Sequence, residues 1–433
     1  MFKSSIFFSA LLLILGSENS FAQDVPAPAK AQQKAIAITG ATIHTGTGQV
    51  IENGTIVFDK GKIVSVAASG SAPSGAEIID AKGKHVYPGI IAPVTNLGLA
   101  EIESVKATID YAETGEINPH VRSIIAYNTD SKVIPTVRSN GVLIAQPTPS
   151  GGLLSGQSSI VQLDAWNWED AAYRTDVGIH IKWPTAQIFT SRFAPPADQQ
   201  KERYQENMDM LQQYFREAKA YASLPDPAVQ NPRFEAVKGI FNGSKKVFIH
   251  TDLQKDILLS VQFFRKLGIT PVLVSGEDAR FVTGFLKENN VPVILHESHA
   301  LPGREDDPVY TPYSEAKQLT DSGVLCAISI DGYWQQRNLP FMAGTTAAHG
   351  LNKEQALATI TLNSAKILGI DKTLGSLETG KDATLFISTG DALDMRGNHV
   401  ERAFISGRDI DLNNHQTDLY KKFSAKYGQE IKM

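Results

Sequence analysis

The stretch 246–296 constrains this chain more than any other. Val247-Phe-Ile-His250 is a short apolar run of strand character. Leu253, Ile257, Val261, Phe264 and Leu267 then recur at helical spacing, and Gly268 supplies a stop. Pro271-Val-Leu-Val-Ser275 reads as a second strand, a helix is expected from about Glu277, and Val291-Pro-Val-Ile-Leu-His296 reads as a third strand. Strand, helix, strand, helix, strand with short links builds parallel sheet, because parallel neighbours need a crossover between them. Helix 313–322, strand Val324 to Ser329 and helix 353–368 extend the rhythm downstream, and Met208, Leu211, Phe215, Ala218 and Ala222 mark one more amphipathic helix upstream. No glycine-rich phosphate loop follows any of the strands, which favours a closed (β/α)8 barrel over an open, doubly wound sheet.

The flanks have a different character. Residues 36–86 carry short β-prone runs, Ile36-Ala-Ile-Thr-Gly and Gly54-Thr-Ile-Val-Phe, separated by the turn signals Asn53-Gly54, Lys60-Gly61-Lys62 and Lys82-Gly83-Lys84. After residue 374 similar runs return in 375–412. The two pieces are expected to form one small composite β-sandwich beside a barrel spanning 87–374. Residues 413–433 read as a polar helical tail docked by Leu419, Tyr420, Phe423 and Tyr427. The fold class expected is therefore α/β, a (β/α)8 barrel with a sandwich drawn from both ends of the chain.

The first 22 residues read as an export signal. Lys3 precedes a run, Ile6 to Leu15, that is apolar except for Ser9, and Ser20 and Ala22 precede a cut ahead of Gln23. Ten apolar residues are too few to span a bilayer. Residues 23–35 are a linker rich in Ala, Pro, Gln and Lys. The expectation is a secreted protein, periplasmic in a Gram-negative cell, with no membrane attachment after signal removal. Net charge is −5, from 41 basic and 46 acidic residues with no basic run, which argues against nucleic acid and anionic membrane as partners. The single cysteine, Cys326, excludes thiolate metal clusters, so any metal must be held by His, Asp, Glu or a modified Lys.

Several motifs carry a family resemblance over almost the whole chain: Asn53-Gly-Thr-Ile-Val, Gly61-Lys-Ile-Val, Gly83-Lys-His-Val-Tyr-Pro-Gly89, Asn118-Pro-His-Val, Ser155-Gly-Gln, and above all Gly375-Ser-Leu-Glu-Thr-Gly-Lys-Asp-Ala. The sequence resembles the metal-dependent amidohydrolase superfamily, in its exported, imidazolonepropionase-like branch. That resemblance implies a barrel with a composite sandwich. It also implies hydrolysis of a non-peptide or dipeptide-like amide C–N bond by metal-activated water, with one divalent ion, zinc before others. The substrate implied is a small molecule, and a homo-oligomer or an assembly with an active homologue is compatible with it.

The family pattern places His-x-His on the first barrel strand, a Lys or similar ligand on the fourth, His on the fifth and sixth, and Asp on the eighth. In this chain the first-strand positions hold Val94 and Asn96, and the sixth-strand position holds Ser275. His250 survives at the end of strand five and Asp331 after strand eight, where Asp331 would be both ligand and proton shuttle. His180, two residues before Lys182 on the same strand face, and His296 at the end of strand seven complete the metal-ligand candidates. Two readings follow: a hydrolase with an altered metal centre, or a protein that keeps the fold without the chemistry, holds no metal, and binds a ligand or pairs with an active homologue. Glu305, Asp306 and Asp307 are expected in a solvated loop. Trp166, Trp168, Trp183 and Trp334 are weighed as pocket walls against core packing. Cys326 is expected in the core.

Overall fold

The computed structural model describes residues 27–225, 227 and 229–430. The expected export signal and residues 23–26 of the linker therefore lie outside the described residues. Two eight-stranded sheets organise the chain.

The first sheet is assembled from both ends. Strands β1 (Ile36–His44), β2 (Val50–Asp59), β3 (Lys62–Ala67), β4 (Glu77–Asp80) and β5 (His85–Pro88) come from the N-terminal part. Strands β14 (Leu385–Ser388), β15 (Val400–Ile405) and β16 (Arg408–Ile410) come from the C-terminal part. The seam is β5 against β14, antiparallel, with Val86 opposite Ile387. The far edge curls back, since Lys62 at the start of β3 bridges Asp382 just ahead of β14. Ile38, Ile43, Ile56, Phe58, Val86, Leu385, Ile387 and Phe404 fill the interior. Lys60 and Gly61, both at positive φ, make the β2–β3 hairpin turn as expected. Asn53-Gly54 does not turn the chain. It lies inside β2, where Asn53 at φ 50° and Gly54 opposite Ala41 accommodate a register shift, because a Cβ on Gly54 would meet Ile43 at 2.6 Å.

The second sheet is the barrel: β6 (Ile90–Thr95), β7 (Val142–Pro147), β8 (Leu154–Gln162), β9 (Ala172–Lys182), β10 (Lys246–Thr251), β11 (Val272–Ser275), β12 (Val293–Leu295) and β13 (Cys326–Ile328). These pair in sequence order. Ile91, Ile144, Ile160, Phe248, Val274, Ile294 and Ala327 point into one shared interior cluster. The ring closes between β13 and β6 through the Ser329 side chain and one backbone bond: Ser329 Oγ donates to Val94 O (2.5 Å), Val94 N donates to Ser329 Oγ (3.1 Å), and Asn96 N donates to Asp331 O (3.0 Å). The expected barrel is present with one departure. Strand β8 runs antiparallel to both β7 and β9, because only the short turn 148–153, with Gly151 and Gly152 at positive φ, separates it from β7 and leaves no room for a crossover helix.

The helices follow the periodicity, with local exceptions. Gln254–Lys266 buries Ile257, Val261 and Phe264, and Ala197–Ala222 buries Leu211, Phe215 and Ala218. The segment after Glu277 is a 3₁₀ turn, Glu277–Phe281, followed by the short helix Thr283–Glu288. Phe281 is half exposed because its ring lies under the Arg280 and Arg304 guanidinium groups rather than in the core. The helix expected over 353–368 breaks into Lys353–Ile360 and Leu362–Leu368. Thr361 between them leaves helical geometry, its hydroxyl bonding back to Leu357 O at 2.7 Å. The terminal helix His415–Tyr427 opens on a capping box at Asn414, but the side chains expected to dock it stay at the surface. Leu419, Tyr420, Phe423 and Tyr427 are exposed, and Ser424 is the buried position. Among the described residues no helix is long and apolar enough to cross a membrane.

Asp164, buried at the end of the β8 loop, ties the two sheets together. Its carboxylate accepts from Arg138 Nη1 (2.6 Å) on the barrel side, Arg408 Nη1 (2.7 Å) on β16, and Ala29 N (2.9 Å). Removing it would leave the buried Arg138 and the largely buried Arg408 without this carboxylate partner. Asp164→Ala is expected to destabilise the protein by about 3–5 kcal/mol, read as a lower urea midpoint at unchanged slope. A shift under about 0.5 kcal/mol, typical of a surface site, would contradict the clamp.

Candidate functional site

Barrel chemistry collects where the parallel strands end, and this barrel's C-terminal mouth carries the titratable side chains singled out in the sequence. Leu295 ends β12, so His296 is the first residue past the strand; Asp331 stands three residues past Ile328, the end of β13. Their side chains are open to the mouth, and His296 Nδ1 lies 3.7 Å from Asp331 Oδ1. Asp331 borders two recesses. One, of 520 Å³, is also lined by His296, Asp252, Glu277 and Glu315. The other, of 250 Å³, is lined by Asn96, Tyr111, Ser150 and His250. Burial, opposed by Arg280 and reinforced by Glu277, Asp307 and Asp278, pushes the Glu315 carboxyl up to about 8, so it enters neutral solution protonated.

His250 and His180 meet inside the barrel. Register sets Phe248 opposite His180 and His250 opposite Lys182. His180 is fully buried, its ring parallel to Phe248 within 4° at a centroid distance of 4.7 Å. Its Nδ1 is 3.0 Å from His250 Nε2, and its Nε2 is 2.7 Å from Ser158 Oγ. Ser158 in turn accepts from Gln146 Nε2 at 2.8 Å. Burial, with the neighbouring imidazole, holds His180 well below the ordinary histidine range. Burial lowers His250 to about 4, against the opposing pull of Asp331. Both rings are neutral at neutral pH. Lys182 shares the strand face of His180 but reaches solvent at the strand end, and does not join the pair.

The positions that depart from the family pattern are occupied structurally. Val94 is packed in the barrel interior, its backbone held by Ser329. Asn96 is anchored through its backbone, and its Oδ1 is buried with no hydrogen-bond partner among the described residues. Ser275 takes φ 81°, a left-handed geometry unusual for a residue with a Cβ, and its hydroxyl donates to the Asp252 carboxylate.

A divalent ion of the kind the resemblance implies does not fit these residues. His180 was a candidate ligand, but both of its ring nitrogens are engaged in hydrogen bonds, with Ser158 and with His250. His250 has already committed Nε2 to His180. Val94 has no donor atom, and an amide oxygen is a poor substitute for imidazole at Asn96. Among the described residues no three His, Cys, Asp or Glu side chains come close enough together to hold a metal. The site is a hydrogen-bonding one: an open carboxylate beside an imidazole, a second imidazole in the adjoining recess, and a carboxyl whose pKa is raised by burial in the larger recess.

Other residues resolve differently. Of the four tryptophans, Trp183 is buried and lines a 590 Å³ cavity with Lys182, Arg203 and Tyr204, while Trp166 and Trp334 are exposed. Asp307 is not solvated. It is largely buried and pairs with Arg280 at 2.5 Å, whereas Glu305 and Asp306 are exposed as expected. Cys326 is buried in β13, and burial raises its thiol to about 11. Ser158, Gln146 and Glu315 went unrecognised in the sequence. The alternation of β8 could have flagged Ser158, which falls two residues from Gly156 and so on the same face.

Comparison with known proteins agrees with this architecture. Residues 310–410 match the amidohydrolase family. An imidazolonepropionase of Staphylococcus saprophyticus is 25% identical over 374 residues, covering 79% of this chain and 84% of the relative. A 5-methylthioadenosine/S-adenosylhomocysteine deaminase of Moorella thermoacetica is 37% identical over 95 residues, covering 19% of this chain and 21% of the relative. In structure, an amidohydrolase from Thermotoga maritima superposes with a TM-score of 0.75 over 87% of this chain and 99% of its own, at 22% identity, which is a likeness of fold. The chain thus shares its barrel and composite sheet with a solved amidohydrolase, is similar to the amidohydrolase family over residues 310–410, and aligns at 25% identity with an imidazolonepropionase over most of its length.

Proposed function

We propose that this protein is a hydrolase acting on the carbon–nitrogen bond of a small amide held at the barrel mouth, without a metal centre of the family type. The observation that carries this reading is the placement of Asp331: it borders both recesses, lies 3.7 Å from His296, and shares the smaller recess with His250. The relatives' activities and the superfamily's chemistry support the same bond type.

The proton inventory suits amide hydrolysis. Asp331 takes a proton from a water molecule as the water oxygen bonds to the carbonyl carbon, and the carbonyl oxygen becomes an oxyanion. Collapse of that intermediate reforms the C=O bond and breaks the C–N bond. The proton on Asp331 moves to the departing nitrogen, so the carboxylate is regenerated and one water is consumed. His296 beside Asp331 orients the carboxylate, and protonated Glu315 offers a hydrogen-bond donor within the same recess.

Asp331→Asn removes the base at nearly constant shape. Turnover by the variant is expected to fall at least about 100-fold, in the usual range for a general base, on whichever member of a panel of dipeptides, N-acyl amino acids and cyclic amides the protein hydrolyses. Undiminished turnover by the variant would remove Asp331 from its role. A second reading, a ligand-holding protein without chemistry, is favoured by one specific observation: Val94, Asn96 and Ser275 stand where metal-binding imidazoles are expected. It predicts that compounds from the same panel bind and are recovered intact.

We further propose that the protein works outside the cytoplasm, on the strength of the Lys3, Ile6–Leu15 and Ser20/Ala22 pattern. Protein recovered from its native cells should begin at Gln23 and fractionate with the extracytoplasmic contents. An intact Met1 start in the cytoplasm would refute export.

A further inference from the structure

The hydrogen bonds behind His250 have a direction. An amide nitrogen only donates, so Gln146 Nε2 gives a proton to Ser158 Oγ across 2.8 Å. The hydroxyl proton of Ser158 is then left with His180 Nε2, 2.7 Å away, as its acceptor among the described residues. A neutral His180 accepting at Nε2 carries its proton on Nδ1, and that proton points at His250 Nε2 across 3.0 Å. His250 Nε2 therefore accepts, and its own proton sits on Nδ1. No partner for His250 Nδ1 occurs among the described residues, and the residue lines the recess that also holds Asn96 and Asp331.

We propose that Gln146, Ser158 and His180 are positioning residues that fix His250 as the Nδ1–H tautomer, so that His250 serves as a neutral hydrogen-bond donor to the oxygen of the scissile carbonyl. The role at the carbonyl rests on the hydrolase reading above; the tautomer does not. A neutral donor suits this place. It stabilises the oxyanion as charge develops without giving up its proton, and it is already aimed before the substrate arrives. The same tautomer offers no lone pair at Nδ1, which is a second reason that His250 is not a metal ligand here.

The relay is rigidly built. His180 is clamped by its parallel stack on Phe248. Gly178, two residues earlier on the same face of β9, leaves the space this needs: a Cβ there would sit 2.3 Å from the Phe248 ring and 3.0 Å from Ser158 Oγ.

Imidazole ¹⁵N–¹H correlation spectra of the full, histidine-labelled protein test this without relying on activity. Single His180→Gln and His250→Gln variants supply the assignments. The expected result is His250 protonated at Nδ1 and unprotonated at Nε2, with His180 showing the same tautomer. His250 protonated at Nε2 overturns the proposal, since the chain would then run the other way. Ser158→Ala, checked for an unchanged urea midpoint, is expected to mix the His250 tautomers and to lower kcat at least about 10-fold with little change in KM, a fraction of the loss on deleting an oxyanion donor outright. Ser158→Thr keeps the hydroxyl and should restore both. An unaltered tautomer in Ser158→Ala overturns the positioning role. If the tautomer is as stated but no amide is turned over, the hydrolase reading and the role at the carbonyl fall together, and the positioning of His250 stands.

Discussion

Much of what this barrel can do depends on one hydrogen bond, 3.0 Å long, between the imidazoles of His180 and His250. In a barrel built around metal ions, inward imidazoles spend their lone pairs on the metal. Here they spend them on each other and on Ser158. The pair is neutral, with His180 fully buried, and neither ring retains a free lone pair directed at the other ligand candidates. A carboxylate, an imidazole N–H and an adjacent His296 remain at the mouth. Those are parts for moving protons and orienting an amide, and they are compatible with C–N hydrolysis by a route that asks nothing of Val94, Asn96 or Ser275.

The mouth is placed by the way the ring closes. Strands β13 and β6 meet through Ser329, whose hydroxyl both donates to Val94 O and accepts from Val94 N, and through Asn96 N donating to Asp331 O. The same contact therefore seals the barrel and sets Asp331 at its rim. On the opposite side, Asp164 holds Arg138 and Arg408, so the composite sheet and the barrel are joined by a buried charge network. Such a network contributes little net stability over an apolar contact, but it is costly to break on one side only. It therefore fixes how the two sheets meet.

The parallel core was legible in the sequence because burial on one face forces periodicity. The spacing of Ile257, Val261 and Phe264 could only be a helix packed on a sheet, and His250 and Asp331 could be placed because strand ends mark the mouth. Strand β8 was not legible as antiparallel. Orientation there is set by the length and positive-φ geometry of 148–153, and a periodicity of two is the same in either direction. The break at Thr361 comes with a side-chain-to-backbone bond, to Leu357 O, that local pattern does not reveal. Phe423 and Tyr427 show the converse, apolar side chains exposed among the described residues. The relay was hidden for a further reason. Ser158 and Gln146 are ordinary polar residues until the antiparallel pairing of β8 brings them beneath His180.

The proposed function rests on a barrel mouth whose described residues do not gather into a metal centre. Elemental analysis of protein purified without chelator measures this most directly, before and after incubation with excess zinc, iron and manganese followed by desalting. Metal well below one equivalent per chain is expected in both samples. One equivalent retained through desalting, and lost on changing His250 or Asp331, would contradict it.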